Sequence, residues 1–183
     1  HAHSGLRWVV LGLLLMGIVV WDVFITVFST SGAGFVTRAW TQPLWTGLLK
    51  VHRRRRIHTL LALAGPAMVF AAIFVWYGLL ALGAFLLFEA GPNSVVLSTD
   101  KTPQDGVQSL YFIGSTLSSL GYGDLVPSGF PWTVAATVSA LVATVVLTTS
   151  LSYVLAVLGA AVQRRAFASG VHALGDSPSQ IVR

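Results

Sequence analysis

A polar stretch in the second half of the chain contains the residues whose types and spacing could bind an ion. It runs from Ser115 to Asp124 and ends in Gly121-Tyr122-Gly123-Asp124. Successive carbonyls of a strand normally point in opposite directions, so aiming them at one axis requires alternation of right- and left-handed backbone conformations. Glycine enters the left-handed region without steric cost, and one residue separates Gly121 from Gly123. The pattern therefore indicates a backbone that presents its carbonyl oxygens to a cation stripped of water.

Long apolar segments on both sides of this stretch indicate a membrane protein. The chain of 183 residues is 55% hydrophobic and only 9% charged, whereas soluble domains carry about 25% charged residues. Apolar runs long enough to cross a bilayer occur at 6–28, 66–88 and 131–161. We predict three transmembrane helices. A shorter helix at 106–118 would enter the membrane between the second and third spans without crossing it.

The segment Ser119-Leu120-Gly121-Tyr122-Gly123 resembles the selectivity filter of the potassium channel pore-domain family. The resemblance covers the chain from the second span to the tail, and the N-terminal span is an addition to that two-helix unit. It implies an all-α membrane protein with three transmembrane helices plus a re-entrant pore helix and filter per subunit, assembled as a homotetramer. It also implies that K⁺ is the permeating ion and that no organic cofactor is needed. Ser119 and Leu120 stand where the family usually has Thr and Val or Ile.

The resemblance also implies roles for individual residues. Backbone carbonyls would bind K⁺ at four positions, which are Ser119, Leu120, Gly121 and Tyr122, and the first of these would add its hydroxyl. Support of the filter is expected from Gly123, Asp124 and Tyr111. A phenol can donate a charge-assisted hydrogen bond to a carboxylate, so we expect Tyr111 to hold Asp124 at the outer mouth.

Hydroxyl side chains recur along the third span. Thr144, Thr148 and Ser152 follow one another at intervals of four residues, so they share one helix face with Thr137. Two interpretations stay open for this face. Serine and threonine often form hydrogen bonds between membrane helices, and the same hydroxyls are also suited to line a water-filled cavity beneath the filter.

Two charged features lie outside the filter. Asp22 falls within the first span, where an ionisable group is costly, and we expect it to pair with an arginine of the following loop. That loop carries four consecutive arginines, Arg53, Arg54, Arg55 and Arg56. The run marks a cytoplasmic segment. It is also a candidate contact for anionic membrane lipids.

Local signals predict where three helices begin. Pro43 and Pro66 suit the first turn of a helix, where the missing N–H costs little. The first would start an amphipathic helix lying in the membrane interface, and the second would start the second span. Thr102 to Asp105 resembles a capping box ahead of the pore helix.

The predicted organisation has four parts. Residues 1–34 form the N-terminal transmembrane helix, 35–65 a cytoplasmic interfacial segment with the basic run, 66–162 the pore domain and 163–183 a cytoplasmic tail. Arg7 and Lys101 would be the outer basic residues, and the other nine of the eleven Lys and Arg would be cytoplasmic. We therefore expect a multi-pass protein of the cell membrane with its N-terminus outside and its C-terminus cytoplasmic. Because the chain begins with His1, we also expect a longer or processed native protein.

The residues also allow alternatives to a potassium-selective channel. A less selective monovalent cation channel is an alternative because Ser119 and Leu120 depart from the usual filter. The ion-translocating subunit of a potassium transporter is another, although such subunits resemble four degenerate loops that usually keep one glycine each. An enzyme is not expected, because neither Gly-x-Ser-x-Gly nor His-Glu-x-x-His occurs. The net charge of +5 is assigned to cytoplasmic loops, so no nucleic-acid partner is expected.

Overall fold

The computed structural model describes residues 2–29, 33–55 and 58–173. Its helices are α1 (Ala2–Phe28), α2 (Phe35–Arg55), α3 (His58–Glu89), α4 (Val107–Leu117) and α5 (Trp132–Ala173). Three of them are long and apolar enough to cross a membrane, over Gly5–Phe28, Ala64–Glu89 and Trp132–Ala160. With 11 residues, α4 is too short to cross. The predicted architecture of three transmembrane helices and one short helix is confirmed.

Helix α1 packs along α3 through faces that contain glycine, which lets the two helices approach closely. A Cβ added to Gly12 would lie 2.6 Å from the Gly83 carbonyl oxygen. A Cβ added to Gly83 would lie 2.8 Å from Cγ of Met16. Lipid tails are as apolar as the side chains, so helices in a membrane associate mainly through such close packing. These two glycines therefore set the distance between the first and second spans.

Helix α3 also packs against α4 and α5. The ring of Phe88 meets Phe112 of α4 edge-on at 5.3 Å and lies 5.8 Å from the ring of Trp132 on α5. The Tyr77 hydroxyl donates a hydrogen bond of 2.9 Å to the Ala143 carbonyl of α5. The short helix is thus held between two spanning helices by aromatic packing.

A small sheet that was not predicted lies at one end of the bundle. Strands β1 (Val95–Leu97), β2 (Pro103–Gln104) and β3 (Leu125–Pro127) pair antiparallel in the order β2-β1-β3. The sheet ties the chain that follows the glycine pair to the loop that precedes α4. Strands of two or three residues are too short to show the alternation that identifies a strand in sequence.

The two starts predicted at prolines and the predicted capping box are wrong, whereas the short helix begins within one residue of its predicted start. Pro43 lies inside α2 and Pro66 inside α3, so α3 begins at His58, although its candidate membrane span begins at Ala64. A proline inside a membrane helix is tolerated where neighbouring groups satisfy the freed carbonyl. Helix α4 begins after Gly106 without a side-chain cap, and Pro103 and Gln104 of the expected capping box belong to β2. Helix α5 continues to Ala173, beyond the predicted boundary at residue 162.

Candidate functional site

The C-terminus of α4 fixes the start of the filter segment, defined here as residues 119–123. The N–H groups of Leu120 and Gly121 both donate to the Ser115 carbonyl, at 3.0 and 3.3 Å. The Ser119 N–H donates to the Thr116 carbonyl at 3.2 Å. The chain therefore turns away directly at the negative end of the α4 dipole, where a cation is favoured.

The backbone of the filter segment alternates in hand. Positive φ angles occur at Ser119 (60°), Gly121 (55°) and Gly123 (81°), whereas Leu120 and Tyr122 between them keep negative φ. This is the alternation that the glycine pair predicted. Ser119 extends it by one step without being a glycine, and a left-handed conformation costs an L-residue roughly 1–2 kcal/mol. No pattern in the sequence indicates a positive φ at this serine.

The carbonyls of the filter segment have no donors within the described part of the chain. The carbonyl oxygens from Ser119 to Gly123 accept no hydrogen bond there, whereas those of Ser115 and Thr116 before them and Asp124 after them do. Residues 118–124 are also all exposed in the single chain. Unpaired carbonyls at membrane depth cost several kcal/mol each. These carbonyl oxygens therefore need partners that the described part of one chain does not supply.

Aromatic stacking holds Tyr122 of the filter segment against α4. The ring of Tyr122 stacks on the ring of Tyr111, with centroids 6.2 Å apart and planes 9° from parallel. Desolvation, followed by the charge of Asp124, raises the pKa of the Tyr111 phenol. The phenol therefore lies close enough to Asp124 to feel its charge, and the hydrogen bond between them stays a prediction.

The sheet anchors the residue that follows the filter segment. The Asp124 carbonyl accepts a hydrogen bond of 2.8 Å from the Ser98 N–H, next to β1. The Asp124 carboxylate accepts one of 3.0 Å from the Leu125 N–H at the start of β3. Both ends of the segment are thus fixed, one to α4 and the other to the sheet.

The hydroxyl face predicted on the third span is present on α5. Thr144, Thr148 and Ser152 are exposed in the single chain, and their hydroxyls donate to the carbonyls four residues earlier at 2.9, 2.9 and 3.0 Å. Thr137 does the same to Thr133 at 2.9 Å. Since each hydrogen is used within the helix, each hydroxyl oxygen offers its lone pairs outward.

A second polar site, the Asp22 cluster, is buried among α1, α2 and α3. The Asp22 carboxylate is 2% exposed. It accepts hydrogen bonds from the N–H groups of Val36 (2.7 Å) and Thr37 (3.1 Å), from the Thr37 hydroxyl (2.6 Å) and from Nε1 of Trp76 (2.9 Å). The carboxylate thus caps the N-terminus of α2, where a negative charge is favoured. Neutral donors among the described residues thus satisfy the carboxylate, and the side chains of the predicted partners, Arg53 to Arg56, lie outside the described part of the chain.

The predicted lipid contact cannot be placed as a whole. Arg56 lies outside the described residues. Arg53, Arg54 and Arg55 form the end of α2, but their side chains lie outside the described part as well. The described backbone shows that the basic run continues a helix whose start is fixed by Asp22.

Taken together, the three spanning helices, the short helix between them and the unpaired carbonyl segment define a multi-pass membrane protein of ion channel type. Residues 67–162 match the family described as "Ion channel". This match covers more than half of the 183 residues, and the chain belongs to that ion channel family.

The chain is 31% identical over 176 residues to the "Uncharacterized membrane protein YdjJ" of Bacillus subtilis (strain 168). The similarity covers 96% of this chain and 51% of the relative, so the chain spans about half the length of that protein. No solved structure matches the chain.

Proposed function

We propose that this ion channel subunit conducts K⁺ selectively and passively through a homotetrameric pore. The observation that carries the proposal is the alternating backbone of residues 119–123 with its carbonyl oxygens free of donors. Rings of such oxygens replace the hydration shell of K⁺ in a selectivity filter. The carbonyls of Ser119, Leu120, Gly121 and Tyr122, with the Ser119 hydroxyl, would hold the permeating ions. No organic cofactor takes part in the proposal.

The tetramer follows from the geometry of a single filter segment. One chain supplies one wall of carbonyls, and a complete coordination shell requires four copies around an axis. The exposure of residues 118–124 in the single chain supports such an assembly, since the neighbours would cover these residues. Native mass spectrometry of the purified protein should show four subunits, and a dimer or trimer alone would contradict the proposal.

The rest of the pore is assigned from the described helices. In the proposed pore, α4 directs the negative end of its dipole at the cavity beneath the filter, which favours a cation there. Thr144, Thr148 and Ser152 would line this cavity with hydroxyl oxygens, because their hydrogens are already used within α5. We prefer this interpretation to hydrogen bonds between helices, because the hydroxyl hydrogens are already used within α5.

Orientation and lipid contact are part of the same proposal. The filter end, with the sheet, would face the outside, and the basic run Arg53 to Arg56 would lie on the cytoplasmic side of the cell membrane. Arg53, Arg54, Arg55 and Arg56 would attract anionic lipids of the inner leaflet. Replacing all four with glutamine should weaken binding to phosphatidylglycerol vesicles more than to phosphatidylcholine vesicles.

Ion flux through purified protein in liposomes tests the function. Under an imposed gradient we expect saturable K⁺ flux, much slower Na⁺ flux and block by Ba²⁺. Empty liposomes and liposomes with the Gly121→Ala variant are the matched controls. Equal rates for K⁺ and Na⁺ would instead support a less selective monovalent cation channel. Ser119 and Leu120 favour that alternative, since they change the inner filter site and the packing beside it.

A further inference from the structure

A polar cavity lies beside the filter end of the bundle and takes no part in the proposed ion path. It measures about 660 Å³ and lies among the start of α1, the end of α3, the loop before β1 and the start of α4. Cavities of roughly 300–1,000 Å³ are of the size that binds small molecules. If the proposed orientation holds, the cavity opens at the outer surface of the membrane.

Two carboxylates in the cavity wall lack partners. Glu89 ends α3 and Asp105 precedes α4, and within the described residues neither side chain forms an ion pair or a hydrogen bond. Asp100 differs, although it lies in the same loop region. Its carboxylate accepts hydrogen bonds from the N–H and the hydroxyl of Thr102, which lower its pKa.

Two buried hydroxyls in the same wall also lack partners. Ser109 is 1% exposed and Ser94 is 4% exposed, and within the described chain neither side chain makes a hydrogen bond. Ser139 Oγ is completely enclosed without a partner, whereas the Ser109 hydroxyl opens onto the cavity. Neither Ser94 Oγ nor Ser109 Oγ is enclosed as Ser139 Oγ is, so each can accept a hydrogen bond from a molecule in the cavity.

The lining selects a cation. It contains no Lys, Arg or His, and its groups without partners in the described chain include two carboxylates and two hydroxyls, which accept hydrogen bonds, beside the Asn93 amide and the Trp8 indole. The described residues hold no group of three or more metal-binding side chains. The cavity is also far larger than one water molecule, whose volume is about 30 Å³. An organic cation with N–H donors therefore fits the lining better than a bare metal ion.

We propose that this cavity binds a small organic cation through a primary ammonium group held by Glu89 and Asp105, with Ser94 and Ser109 as further acceptors. Two sources carry this chemistry, a free diamine outside the membrane and the amine headgroup of phosphatidylethanolamine. Trp8, half-exposed near the start of α1, lines the cavity where an interfacial aromatic would meet a headgroup.

Isothermal titration calorimetry tests the proposal on the whole chain in phosphatidylcholine nanodiscs, with 1,4-diaminobutane as the probe. We expect saturable binding to the parent and binding at least tenfold weaker to Glu89→Gln. Asp100→Asn is the matched control, because it removes an acid of the same region that does not line the cavity, and it should bind as the parent does. Absence of saturable binding to the parent, or equal affinity of Glu89→Gln and Asp100→Asn, overturns the proposal.

A second variant and a second lipid complete the test. Ser109→Ala changes only a hydroxyl and should weaken binding severalfold; a parent-like affinity overturns the role of this serine. In nanodiscs that contain phosphatidylethanolamine, weaker diamine binding to the parent supports occupation by the headgroup, and unchanged binding supports a free amine. Calorimetry does not depend on conduction. Failure of the K⁺ flux assay would therefore contradict the proposed function without contradicting the binding of the amine.

Discussion

Two polar sites in this protein lie within or beside membrane-spanning helices and are built in opposite ways. In the Asp22 cluster, N–H and O–H donors from α2 and α3 surround one buried carboxylate, and the carboxylate oxygens are fully used. In the filter segment, the carbonyl oxygens of five successive residues have no donor in the described chain. The first site is complete within one chain, whereas the second needs partners from outside it.

The comparison separates stability from function. A buried charge that is fully hydrogen-bonded holds neighbouring elements in place, and it is costly to disturb because the donors would be left unpaired. A row of oxygens without donors does not stabilise the single chain, and the positive φ of Ser119 adds strain. Such strain persists only where the surroundings enforce it, here α4 on one side and the sheet on the other.

The largest effect is expected from Gly121→Ala. At a φ of 55° an alanine would be held in the left-handed region, at a cost of roughly 1–2 kcal/mol per chain. We expect K⁺ flux in liposomes to fall by about a hundredfold or more, since each tenfold step corresponds to about 1.4 kcal/mol. Gly114→Ala is the control, because Gly114 is helical and a Cβ there meets nothing within 4 Å. Equal flux in both variants would show that the alternation is not required.

Asp22→Ala should be the most destabilising substitution in the other site. It leaves the N–H groups of Val36 and Thr37 without their acceptor and the Trp76 indole with only the Thr37 hydroxyl oxygen at 3.2 Å, and unpaired buried donors cost about 1–3 kcal/mol each. The free energy of unfolding in an SDS titration should fall by about 3 kcal/mol or more. The ratio of K⁺ to Na⁺ flux should stay unchanged in the folded fraction. A changed ratio would contradict the separation of the two sites.

Gly34→Ala probes the same cluster by crowding it. A Cβ at Gly34 would overlap the Asp22 carboxylate, so α2 must shift away from its cap. We expect a loss of about 1–3 kcal/mol in the SDS titration, as for other overpacked sites. Gly47→Ala on the same helix meets nothing within 4 Å and should stabilise the protein slightly, by up to about 1 kcal/mol. Similar results for both variants would mean that the cap does not position α2.

Tyr111→Phe tests whether a hydrogen bond from the Tyr111 phenol to Asp124 stabilises the filter segment. The substitution keeps the ring that stacks on Tyr122 and removes the donor that faces Asp124. A charge-assisted hydrogen bond is stronger than a neutral one, so its loss should shorten sustained K⁺ conduction about two- to fivefold, most clearly at low external K⁺. Tyr122→Phe is the control because it keeps the stacked pair. A time course identical to that of the parent would show that stacking alone suffices.

Ser119→Ala should have the smallest effect. The carbonyl sites remain, and only the hydroxyl at the inner end is lost, so Ba²⁺ block from the inner side should weaken by about tenfold or less. Ser119→Gly removes the same hydroxyl and also relaxes the φ of 60°. The two variants should therefore share the change in block, while only the glycine variant should gain stability. Parent-like block in both would exclude the hydroxyl from ion binding.

The sequence was sufficient for the spans, the short helix and the left-handed positions of the glycine pair. Apolar runs of bilayer length leave a chain few alternatives, since every backbone group in hydrocarbon must be satisfied internally. Gly121 and Gly123 were predicted to be left-handed because glycine alone enters that region without cost. The face shared by Thr144, Thr148 and Ser152 follows from helical spacing alone.

Helix starts and polar partners were decided only by the tertiary structure. The local signal placed the start of α2 at Pro43, but a carboxylate 13 residues before its first residue caps it at Phe35. No pattern within α2 records that distant cap. The indole of Trp76, 54 positions from Asp22, likewise becomes its donor only because α1 and α3 pack together.

The left-handed conformation of Ser119 and the polar cavity beside the filter segment both depend on contacts between segments. Ser119 takes a positive φ because α4 holds its N–H and those of the next two residues, while the sheet holds Asp124. Glu89 ends α3, whereas Asp105 and Ser109 lie at the start of α4, so the three line one cavity only because α3, α4 and the loops converge. Sequence fixes what each short segment can do with its own residues. The pairing of donors with acceptors between segments depends on packing, because hydrogen bonds act only over distances that folding creates.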